Sequence, residues 1–123
     1  MVEALWMVKS RGDGMPRRRR ECGTVVLLDD RRIVGGNERY HFVGIYRREA
    51  SRIFFRAFVA FHGERRKVPR TSDGAPYETE GIGEISLDCK RIEYVARVVG
   101  KPDSRIEGTF VRIAEVPNFR KLS

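Results

Sequence analysis

A chain of 123 residues with 41% apolar and 34% charged residues is too apolar for wholesale disorder and too charged for membrane-embedded helices, and it is long enough to bury one core without metal or disulfide staples. No stretch approaches the roughly 18 consecutive apolar residues of a spanning helix, and the first ten residues lack the basic-then-apolar order of an export signal. A single intracellular domain is therefore expected, cytoplasmic or associated with a host cell or virion, with secretion disfavoured and no membrane contact.

The charge is more informative than the size. Lys and Arg total 25 against 17 Asp and Glu, leaving +8. Residues 1–70 carry 17 basic and 8 acidic side chains, whereas residues 71–123 carry 8 and 9, so the excess belongs to the first part of the chain. That asymmetry points to a basic patch facing an acidic partner.

Residues 1–21 open on Leu5-Trp6-Met7-Val8 and continue through a polar run with Gly12, Gly14, Pro16 and the block Arg17, Arg18, Arg19 and Arg20. Adjacent like charges resist packing, so this stretch reads as a flexible basic N-terminal arm. Trp6 is expected to anchor it on a partner. Residues 22–123 then read as one β-rich domain. The β-branched run from Thr24 to Leu28 gives a strand, Arg31 to Val34 a short second one, and Gly35-Gly36-Asn37 a turn.

From Arg39 to Arg47, Tyr40, Phe42 and Tyr46 alternate with His41, Val43 and Ile45, with Gly44 interrupting the first set. Residues 52–62 alternate likewise, with Ile53, Phe55, Ala57, Val59 and Phe61 on one side and Phe54, Arg56 and Phe58 on the other. Both are read as strands, although a helix from Ser51 would align Phe54, Phe58 and Phe61.

Residues 63–83 form a low-hydrophobicity stretch with Arg65, Arg66, Lys67 and Arg70 and read as a long loop. Strand alternation returns in Ile85, Leu87 and Cys89, where Cys89 reads as an inert core thiol, then in Ile92, Tyr94, Ala96 and Val98, and again over 105–116, where Gly108 marks a bulge. The expected architecture is all-β, a small barrel or sandwich of about six to seven short antiparallel strands.

Arginine's planar fork binds phosphate bidentately and stacks on bases, which makes the Arg-rich set the candidate binding surface. That set comprises Arg17 to Arg20, Arg31, Arg32, Arg47, Arg48, Arg52, Arg56, Arg65, Arg66, Lys67 and Arg70, with Tyr40 and Tyr46 as stacking faces. The expected function is non-enzymatic binding of a polyanion, nucleic acid foremost. The competing reading is a structural or inhibitory protein-interaction subunit, such as a viral capsid or tail accessory protein or a blocker of a nucleic-acid-handling enzyme. Its partner would be an acidic protein surface, within a larger assembly.

Cys22, His41, His62 and Cys89 are zinc-type donors, but none lies within the two to five residues of another that structural zinc motifs use. No metal and no cofactor is expected. The pair Asp29-Asp30 reads as a turn and Glu78, Glu80 and Glu84 as solvated loop acids, so no catalytic group is assigned.

Overall fold

The computed structural model describes residues 2–12, 24–62 and 76–116. Eight strands follow one another: β1 (Ala4–Gly12), β2 (Val25–Asp29), β3 (Arg32–Gly36), β4 (Tyr40–Glu49), β5 (Arg52–Phe61), β6 (Tyr77–Ile85), β7 (Arg91–Val98) and β8 (Ile106–Glu115). Each pairs antiparallel with the next, and β1 pairs with β8, so the sheet closes into an up-and-down barrel. Closure removes both sheet edges and with them any exposed ladder of unpaired backbone groups.

The expected all-β class holds, with eight strands rather than six or seven. The additional strand comes from the segment read as an arm. Ala4, Trp6 and Val8 alternate with Leu5, Met7 and Lys9, and β1 uses this alternation to bury Ala4 and Trp6 completely. The segment Arg52–Phe61 is strand rather than helix, because β5 pairs with β4 over its whole length and with β6 from Arg52 to Val59. β6 begins at Tyr77, so the last third of the expected 63–83 loop is strand. The remainder of the arm (13–21) and of that loop (63–75) lies outside the described residues.

An eight-stranded barrel is just wide enough for side chains to fill its interior. Here Trp6, Val26, Leu28, Ile53 and Ile92, each no more than 1% exposed, fill it together with Tyr94 and Phe110. The rings of Tyr94 and Phe110 lie 5.0 Å apart, and Phe55 meets Tyr94 edge-on at 5.7 Å. The Trp6 indole N–H donates to the Val2 carbonyl at 2.9 Å, so its one polar atom is satisfied inside the core.

Two glycines make this packing possible. A Cβ on Gly44 would lie 2.1 Å from the Arg56 carbonyl oxygen and 2.7 Å from the Ala57 Cα, so β4 and β5 approach too closely there for any side chain. A Cβ on Gly108 would lie 2.5 Å from the Tyr94 hydroxyl. Gly108 therefore makes room for Tyr94, and it is not the bulge expected from sequence. The irregularity in β8 falls instead at Ile113, which is skipped where Leu5 faces Ala114 and Trp6 faces Arg112.

The expected alternation through Leu87 and Cys89 also fails. β6 ends at Ile85, and a turn follows in which the Asp88 carboxylate accepts from the Ser86 hydroxyl at 2.6 Å and from the Lys90 backbone N–H at 3.1 Å. Leu87 is fully exposed and Cys89 is a half-buried free thiol at φ +56°.

Candidate nucleic-acid interface

Because strands alternate in direction, the eight-stranded meander sorts its connections onto two rims. One rim carries residues 30–31, 50–51 and 86–90; at the other the chain turns through 37–39 and 99–105, leaves after Gly12 and Phe61 and re-enters at Val25 and Tyr77. In sequence, the connections that start and end at the first rim hold two basic and two acidic residues, and those that start and end at the second, 13–24, 37–39, 62–76 and 99–105, hold eleven basic and six acidic, a net +5.

Both Arg-rich segments of the sequence, with Arg17 to Arg20 and with Arg65, Arg66, Lys67 and Arg70, leave from and return to that second rim. Their own residues lie outside the described set, but the strands on either side fix where they attach. Asn37 organises the neighbouring connection. Its side-chain oxygen accepts from the backbone N–H groups of Arg39 and Tyr40 at 2.8 and 2.9 Å, and its amide donates to Thr24 at 2.8 Å.

The other candidate arginines are not at this rim. Arg31 and Arg32 form the β2–β3 turn at the opposite end, where Asp30 and Arg31 take φ +47° and +62° as a two-residue hairpin loop of the primed type requires. Arg47, Arg48 and Arg52 stand on either side of the β4–β5 turn at that same end. Arg47 lies 4.8 Å from the Phe54 ring centre and 3.7 Å from Glu49, Arg48 donates to the Ala50 carbonyl at 3.0 Å, and Arg52 pairs with Glu84 at 2.9 Å.

Arg56 is on the barrel wall and bridges Glu78 and Glu80, both at 3.2 Å. Glu80 also takes Arg97 at 2.8 Å, and these two guanidinium groups, Arg97 foremost, hold its carboxyl below the usual carboxylate range. The acids expected in a loop are thus strand residues that already engage the wall arginines. Of the candidates, only Arg31 and Arg48 have no carboxylate partner among the described residues.

The aromatic candidates are placed inward. Tyr46 is 6% exposed, and its hydroxyl, buried, finds no hydrogen-bond partner among the described residues. Burial first and the charge of Glu3 second push its phenol upward. Tyr40 packs edge-on against Phe61 at 5.5 Å. Neither offers an open stacking face, and Trp6, wholly buried, cannot anchor a partner.

Two features were not anticipated. The outer wall of β4–β7 forms a groove of about 1000 Å³ with a floor of Ile45, Phe54, Ile82 and Val95, crossed by Arg56, Glu80 and Arg97 and bordered by the Pro102–Arg105 loop. The outward position of Phe54 beside Arg56 in the alternation of β5 was the available signal for it. At the basic rim, His41 and His62 touch, with Nδ1 atoms 2.8 Å apart and rings stacked at 5.0 Å. They lie 21 residues apart, and only the β4–β5 register brings them together. Cys89 is at the other rim, so no four-donor set forms with it.

Compared with known proteins, the sequence matches no family model and no curated protein. Among the described residues no helix is long and apolar enough to cross a membrane.

Proposed function

We propose that the protein is a non-enzymatic binding module that engages nucleic acid through the basic rim of its barrel. The observation that carries this reading is the axial polarity of charge: connections of net +5 at one rim, none at the other, and wall arginines largely matched by glutamates. A polyanion gains from each cation that meets a phosphate, because each phosphate neutralised releases condensed counterions. Arg17 to Arg20, Arg65, Arg66, Lys67 and Arg70 are the proposed phosphate contacts.

The test is a titration of fluorescent single- and double-stranded DNA and RNA with the purified protein from low to physiological salt. Affinity that persists near 150 mM salt and prefers one form supports the proposal. Binding that vanishes there without preference reduces the charge to generic attraction and refutes it.

The second reading, a protein-interaction subunit, is favoured by one feature of the wall. Val34, Val43, Ile45 and Phe58 are 50 to 63% exposed on adjacent strands, and contiguous apolar surface of that kind marks protein contacts.

A further inference from the structure

We propose that His41 and His62 form a two-imidazole site for a tetragonal divalent transition-metal ion, Cu(II) in first place and Ni(II) in second. Both side chains stand on the outer face. Tyr40 pairs with Phe61 and His41 with Ala60, and the His62 backbone N–H donates to the Arg39 carbonyl at 2.8 Å, so His62 sits diagonally across from His41 at the end of the β4–β5 ladder. Both residues are exposed, which gives an ion a free approach and leaves its remaining coordination positions to solvent.

The two donors are close enough to share one ion. Two nitrogens about 2.0 Å from one square-planar ion lie about 2.8 Å apart, and on a tetrahedral ion about 3.3 Å apart. The Nδ1 atoms of His41 and His62 stand at hydrogen-bonding distance, 2.8 Å. A turn of each exposed ring brings both lone pairs to one point within either span, and the preference among ions rests on ligand type and on the order of affinities.

Without an ion, one Nδ1 carries a hydrogen and donates to the other. On binding, that ring carries its hydrogen on Nε2 instead, both Nδ1 lone pairs enter the coordination sphere, and no redox step is involved. Imidazole suits Cu(II) and Ni(II), and affinity for a fixed donor set peaks at Cu(II). No carboxylate or thiol completes a group of three donors among the described residues.

The experiment titrates Cu(II) into the full chain carrying Cys22→Ser and Cys89→Ser, which removes competing thiols, and compares it with the same protein carrying His41→Gln or His62→Gln. The proposal expects one bound equivalent, an electron paramagnetic resonance spectrum with hyperfine structure from two equivalent nitrogens, and a rise in Tm on loading. Each His→Gln change weakens binding by about tenfold or more and removes the two-nitrogen pattern, while circular dichroism stays that of the parent. Binding that is equal in all three proteins, absent from the parent, or abolished in only one variant overturns it.

Discussion

Glu80 on β6 accepts the Arg97 guanidinium of β7 at 2.8 Å on the open wall of the barrel, and Arg56 of β5 reaches its other oxygen. Since this pairing lowers the Glu80 pKa in the folded state, its contribution to stability is present above the ordinary carboxylate value and is lost as pH falls through the lowered one. Wild type and Glu80→Gln should therefore differ most in Tm at neutral pH and converge in acid. A gap that stays constant down to about pH 3 would contradict the assignment.

Tyr46 buries its hydroxyl with no hydrogen-bond partner among the described residues. A buried, unpaired hydroxyl costs about 1 kcal/mol or more, so Tyr46→Phe is expected to stabilise the fold and raise Tm by roughly 4 °C. A fall in Tm on this substitution would show that the hydroxyl is satisfied.

Gly44 and Gly100 separate two ways in which a glycine matters. An added Cβ at Gly44 meets mainly backbone atoms, which cannot move aside without parting β4 from β5, so Gly44→Ala is expected to cost about 3 kcal/mol or more. At Gly100 nothing lies within 4 Å, but φ is +87°, so Gly100→Ala should cost about 1 kcal/mol from backbone conformation alone. Chemical denaturation of the two variants checks the order.

The strands were legible because their inward faces alternate strictly: Ile53, Phe55 and Ala57 on β5 and Ile92, Tyr94 and Ala96 on β7 stand where the period of two puts them. β1 was obscured by its neighbours. The short apolar run from Leu5 to Val8 adjoins a dense basic segment, and its partners β2 and β8 lie far enough along the chain that nothing local announces the pairing. The turn at Ser86–Lys90 was hidden because Leu87 and Cys89 continue the alternation in letters while Asp88 breaks it in space.

The candidate site was legible in composition and not in placement. Sequence showed an Arg-rich set but did not reveal that Arg56 is matched by Glu78 and Glu80 on the neighbouring strand. The aromatic interleaving misled for a physical reason, since a strand alternates and Tyr46 falls on the inward beat. His41 and His62 met only through register, which no spacing rule within the chain contains.

The most direct test of the account compares two sets of four neutralisations in the salt dependence of nucleic-acid binding. In one protein Arg65, Arg66, Lys67 and Arg70, attached at the basic rim, become Gln; in the other Arg31, Arg32, Arg48 and Lys90, at or near the opposite rim, become Gln. The account predicts that the first set weakens binding and flattens the slope of log K against log salt by up to roughly 3, near one unit for each phosphate that is no longer neutralised, while the second leaves the slope close to wild type. Equal effects from both sets, or an effect from the second alone, would contradict a rim-directed interface.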